Sequence, residues 1–169
     1  LALCAAVYDL GYWRQSAHPA SGRQLRLFLG LLTAGLVLVL LARDGIGFLI
    51  AWELMAIAGF FLVVVEHERA EVRDAGYVYL AATHLCTLVL IALFCLWYAA
   101  SGSFALAPLA ADAPAGAKNA LFLLALIGFG LKAGIVPLHF WLPPAHGSGP
   151  SHVSAVMSGV MIKMGIYGI

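Results

Sequence analysis

The sequence predicts an all-α fold, a polytopic bundle of membrane-spanning helices, on three observations. Its 169 residues are 63% hydrophobic and only 10% charged, a composition suited to a membrane rather than to a soluble core of this size. The apolar residues come in runs long enough to cross a hydrocarbon layer about 30 Å thick, which takes about 20 helical residues. None of these runs shows sustained apolar/polar alternation and each exceeds strand length, so they do not read as barrel strands. No repeat with a period of about 20–50 residues stands out.

Taken in order, the runs predict a partial span at 1–14 and spans at 24–42, 45–65, 75–100, 117–141 and 150–169. The first starts apolar at Leu1 with neither methionine nor basic leader, and the last is still apolar at Ile169. That pattern reads as an internal fragment of a larger transporter domain. "QSAHPASGR" joins the first two runs with ordinary turn chemistry. "EHERAEVRD", residues 66–74, mixes both signs without an apolar face and reads as a solvated connection, with a docking surface for a soluble partner as the alternative. "SGSFALAPLAADAPAGAK" is rich in alanine, proline and glycine, which suits a longer extracytoplasmic loop partly lying on the membrane. Arg14, Arg23, Arg26, Arg69 and Arg73 fall on one side and only Arg43 and Lys118 on the other. The excess places the loops at 15–23, 66–74 and 142–149 in the cytoplasm; the expected location is the inner cell membrane.

Several function classes drop out. A net charge of +1 without a basic, aromatic-laced stripe gives nucleic acid nothing to bind. Cys4, Cys86 and Cys95 lie apart within apolar runs and read as packing residues. The six histidines form no close helical pairs with carboxylates, and neither HExxH nor CxxC occurs, so no metal site is expected. "GFGLKAG" misses the GxGxxG spacing and follows no strand. The chain therefore carries no expected cofactor and no intrinsic active site.

What stands out is charge inside the membrane. Glu53, Lys132 and Lys163 sit well within runs that must cross the bilayer, where a charged side chain costs about 2.5–3.5 kcal/mol on insertion scales and turns to a partner or to water. At about 1.5 Å per residue, Glu53 lies about 12 Å into its span, Lys132 about 22 Å into its own, and Lys163 about 20 Å up the returning helix, all near mid-membrane. A register-fixing ion pair with the second lysine snorkelling is the structural alternative. A chain of groups that can exchange protons is the functional one.

The run 117–141 is also broken. Pro137 lacks an amide hydrogen and frees carbonyls near residue 133, and Gly128, Gly130 and Gly134 allow close backbone approach. Interrupted membrane helices need protein or water beside the break, so Lys132 beside Gly134 and Pro137 predicts a hydrated cavity. His139 and His146 lie beyond the break toward the cytoplasm and could admit protons, His139 being nearer Lys132. His152 and Lys163, eleven residues apart, are about 20° from alignment on an α-helix and should share a face. His84, with Thr83 and Thr87, is the strongly polar site within 75–100, either a satisfied core histidine or a lateral link in the proton path.

"AWELMAIAGFFL" and "GFGLKAGIVPLHFWLPPAHGSGPSHVSAVMSGVMIKMGIYG", in this order, resemble the proton-conducting antiporter-like family: the large membrane subunits of complex I, Mrp-type cation/proton antiporters, and the hydrogenase-4 and formate hydrogenlyase membrane subunits. The nearest branch is that of hydrogenase-4 component B. The resemblance implies the first of two inverted five-helix repeats, with Glu53 as the switching carboxylate, Lys132 as the lysine of the broken helix, and Lys163 as the central relay. His84 and His139 match positions that relatives make polar less uniformly, and "PPAHGSGPSHV" departs from the family's usual loop. The implied role is a non-catalytic proton-translocating subunit. Its partners would be other membrane subunits, soluble hydrogenase or NADH-dehydrogenase-like subunits and the lipid bilayer, and its cargo protons, with sodium left open. A stand-alone Mrp-type antiporter subunit is the alternative.

Overall fold

The computed structural model describes residues 2–13, 21–110 and 113–169. Arg14 and most of the loop expected at 15–23 lie outside the described residues. The chain forms α1 (Ala2–Tyr12), α2 (Ser21–Leu41), α3 (Gly45–Val63), α4 (Ala70–Ser101), α5 (Ala115–Ala133), α6 (Leu142–Ser148) and α7 (Ser151–Val156). A π-helical stretch, Met157–Met161, then leads into α8 (Ile162–Gly168). Among the described residues there is no strand, and α2, α3, α4 and α5 are each long and apolar enough to cross a membrane. The protein is a polytopic, multi-pass helical bundle.

The central helix is α3. Apart from Glu53 it is apolar on every face, burying Ala51, Trp52, Met55, Ala58 and Leu62 while Ile46, Ile50 and Ile57 stay exposed on its outer side, as suits a helix with lipid on one face. Asp44 starts it, accepting the Gly47 amide at 2.8 Å, a side-chain cap for an otherwise unpaired donor. Phe129 packs edge to face against Phe48 and Trp52, with ring centroids 5.8 and 5.5 Å away, and ties α5 to α3. On the far side, Gly35 lets α2 approach so closely that a Cβ there would stand 2.9 Å from the Met55 amide nitrogen.

One boundary and one loop differ from expectation. α4 starts at Ala70, inside the charged loop, because a helix continues into water past its apolar window. Its first turn is held by exposed contacts of Arg69 with Glu66 and Glu71, each 3.3 Å, of a kind that contributes little. The loop after α4 does not only rest at the surface. Gly45 donates to the Phe104 carbonyl at 2.8 Å and Leu106 to the Arg43 carbonyl at 2.9 Å, so residues 104–106 strap the turn between α2 and α3.

The break ends α5 earlier than the proline alone would. Gly134 takes a left-handed φ of 68° and stops the helix three residues before Pro137, as a glycine cap followed shortly by proline does. The freed carbonyls are answered inside the protein. Ile135 donates to Gly130 at 3.0 Å, and the buried Trp141 indole donates to Leu131 at 2.8 Å. α8 then packs on this end, where a Cβ at Gly165 would come within 2.6 Å of the Phe129 carbonyl.

Candidate functional site

Three helices converge beside the break. α5 places Lys132 in its last turn, only 1% exposed. Its ammonium lies 5.8 Å from the Trp52 ring centroid of α3 and 5.4 Å from that of Tyr79 on α4, a cation held over aromatic faces. It also donates to the Tyr79 hydroxyl at 3.5 Å. That hydroxyl donates in turn to the Ala56 carbonyl at 3.3 Å, and it occupies the space that any side chain at Gly59 would need. Trp141 leans against Tyr79 with centroids 5.5 Å apart. The immediate lining of the ammonium is therefore aromatic and phenolic.

Glu53 follows Trp52 directly on α3, and its side chain turns toward α4. Its Oε2 accepts from the Thr87 hydroxyl at 2.8 Å, and its Oε1 stands 3.3 Å from His84 Nε2. His84 Nδ1 meets the Leu80 carbonyl at 3.0 Å. A carbonyl only accepts, so Nδ1 carries its hydrogen there, and Nε2 of a neutral ring is left as an acceptor facing a carboxylate. The contact needs one further proton, on the imidazole or on the carboxyl. Among the described residues no ion pair within 4.0 Å joins Glu53 to Lys132; each is engaged with α4 instead.

The remaining predicted residues are more dispersed. Lys163 is exposed and donates to the Ser158 carbonyl at 2.9 Å. His152 is buried at 4% exposure, so the expectation that it shares a face with Lys163 is corrected. The π-helical stretch between them carries more residues per turn than an α-helix and rotates the face on which Lys163 emerges. His139 is exposed in the turns after the break. His146, beyond the four long helices, meets Ser154 Oγ at 2.6 Å, and burial holds its imidazole below the usual range.

Sequence reasoning missed three participants. Tyr79 and Trp141 are aromatic residues in apolar surroundings and carry no mark of their partners. Asp9, to which the sequence assigns no role, is 1% exposed, 3.4 Å from His152 and 3.8 Å from Arg26. A carboxylate near a helix end looks solvated until the fold covers it.

Comparison with known proteins bears on what this arrangement does. The family described as NADH:quinone oxidoreductase/Mrp antiporter, TM, matches residues 42–169. An uncharacterized protein of Mycobacterium tuberculosis is 46% identical over 96% of this chain and 25% of its own length. Hydrogenase-4 component B of Escherichia coli is 35% identical over 100% of this chain and 25% of its own. Among solved structures, a chain of respiratory complex I from Thermus thermophilus, determined with bound aureothin, superposes with a TM-score of 0.80 at 25% identity, over 99% of this chain and 37% of that one. The chain thus spans about a quarter of the length of the curated relatives it matches.

Proposed function

Since the chain belongs to the NADH:quinone oxidoreductase/Mrp antiporter membrane family, we propose that it is the first of two inverted helix repeats of a proton-translocating subunit in a hydrogenase-4, formate hydrogenlyase or complex I-like assembly of the inner cell membrane. Redox chemistry in attached soluble subunits drives it, and other membrane subunits flank it. The observation that carries the reading is Lys132, an ammonium enclosed at the end of an interrupted helix. A buried amine that can lose and regain its proton is the element such a path needs.

In this reading Glu53 and Lys132 are a switchable pair. Glu53 held by Thr87 and His84 is the parted arrangement; its approach to Lys132 holds the proton on the amine, and its retreat releases it. Tyr79 OH, 3.5 Å from the ammonium, is the first group able to pass that proton on. Lys163, on the exposed side of the last helix, receives it where the rest of the subunit packs. His84 joins the pair from the outer side of α4. His139, His146 and His152 lie toward the cytoplasmic mouth.

The test is proton translocation by the full-length subunit in its intact complex, reconstituted in vesicles. Glu53→Gln, Lys132→Ala and Lys163→Ala are each expected to lower protons moved per redox turnover by at least about tenfold, the scale of losing a proton-transfer group. Normal yields in all three, with assembly intact on native gels, would overturn the relay. Because the family description names Mrp antiporters too, the second reading is a stand-alone cation/proton antiporter. Cation-driven proton exchange without any redox partner would favour it.

A further inference from the structure

Away from Lys132, the end of the bundle that carries the strap opens into a groove of about 480 Å³ between α3, α4, α5 and α8. Phe48, Phe94, Trp97, Leu106, Phe122 and Phe129 are among its walls, and Phe122 is 59% exposed. From Lys118 to Phe129 the chain rises about 16 Å along α5, close to one leaflet of a hydrocarbon core about 30 Å thick. An open groove of that depth, walled by aromatic and aliphatic side chains, suits an acyl chain; water would find too few polar partners there.

The mouth of the groove is basic. Lys118, Phe122, Ala125 and Phe129 follow at i, i+4, i+7 and i+11 and share one face of α5, which puts the exposed Lys118 at the outer end of that wall. Arg43 is exposed too, and its carbonyl accepts the amide of the wall residue Leu106 at 2.9 Å. These are the two basic residues that the sequence sets on this side of the membrane, and both come to the same opening. The Asp44 carboxylate beside Arg43 is engaged with the Gly47 amide at 2.8 Å. The start of α5 after Pro114 has no side-chain cap, and an uncapped helix N-terminus favours negative charge. At the same level the Trp97 indole donates to the Ala105 carbonyl at 3.2 Å, and Tyr98 stacks on Phe104 with centroids 4.6 Å apart, as aromatic residues do where headgroups lie.

We infer that this groove is a binding site for one anionic phospholipid of the bilayer, with an acyl chain running from Phe122 toward Phe129 and the phosphate at Arg43 and Lys118. The guanidinium offers a planar fork that matches phosphate oxygens, and the lysine a point charge on a flexible stem. Basic residues beside membrane helices select anionic headgroups by about fivefold each. The occupant lies along the wall whose Phe129 packs on Phe48 and Trp52, so it braces the contact that ties α5 to α3. The inference requires that α3, α4 and α5 span a bilayer, and it stands apart from the proton relay.

The experiment places a photo-crosslinking side chain, Phe122→p-benzoylphenylalanine, in the full-length subunit of the intact complex, reconstituted in vesicles of equal parts phosphatidylglycerol and phosphatidylcholine. After illumination, mass spectrometry of the subunit is expected to find phospholipid adducts in which phosphatidylglycerol exceeds phosphatidylcholine by at least about fivefold. Adding Arg43→Gln and Lys118→Gln together should bring that ratio close to one, whereas Arg69→Gln with Arg73→Gln, on the other side of the membrane, should leave it unchanged. An adduct with another segment of the subunit or with a neighbouring subunit in place of lipid overturns the site. So do the absence of any lipid adduct, equal adducts of the two lipids, and a ratio indifferent to Arg43 and Lys118 or equally lowered by the control pair. If the Phe122 variant does not assemble, Tyr167→p-benzoylphenylalanine, at a wall position that is 59% exposed, decides by the same outcomes.

Discussion

A lysine inside an apolar run is legible without a structure, because the cost of placing it there forces a function or a partner. Its partner is not legible: the Tyr79 hydroxyl is 53 positions away, and a tyrosine in an apolar helix looks like any other core residue. Tyr79→Phe keeps the ring and removes the hydroxyl, so the complex should assemble, lose about 1 kcal/mol for the bond to Ala56, and pump more slowly. Unchanged turnover and proton yield would exclude the phenol from the path. Trp141→Phe tests support of the break rather than transport. It strips the indole donor from the Leu131 carbonyl, to which the Gly134 amide still points at 3.3 Å. The expected loss is about 1 kcal/mol, read as a lower apparent Tm in detergent. Glu53 is as visible in the sequence as Lys132, but its engagement with His84 and Thr87 is not, since nothing in the spacing says which face of α4 meets α3.

Among the elements, the break and the π-helical stretch differ in how they can be read. Gly134 and Pro137 mark an interruption in any apolar run, and the structure refines the division of labour: glycine ends the helix and proline comes after it. Gly134→Ala should therefore cost about 1–2 kcal/mol, because φ 68° is left-handed. A drop in apparent Tm checks this, whereas Pro137→Ala should leave the end of α5 in place. The π-helical stretch has no compositional mark. One extra residue per turn changes neither hydropathy nor length, yet it separates His152 from Lys163, which an α-helical wheel aligns. Helix existence comes from apolar length; facing does not, because facing is settled by packing and by a single surplus residue.

For the whole molecule, the path of the chain alternates sides. The turn at 42–44 and the loop at 102–110 share one side, as the antiparallel bridge between Asp44 and Ala105 requires, and residues 64–69 lie on the other. With the basic residues at 69 and 73 directed to the cytoplasm, a Glu68→Cys variant should react with a membrane-impermeant thiol reagent only from the cytoplasmic face, and Ala107→Cys only from the opposite one. Labelling from the reverse sides would invert the orientation and leave the fold as it is. The strap has a mechanical consequence. Residues 104–106 fasten the start of α3 to the far end of α4, and the turn at 64–69 joins the opposite ends of the same two helices. The pair is thus clasped at both extremities, and the contacts of Glu53 with Thr87 and His84 lie between the two clasps, where neither helix can slide along the other without straining a tie.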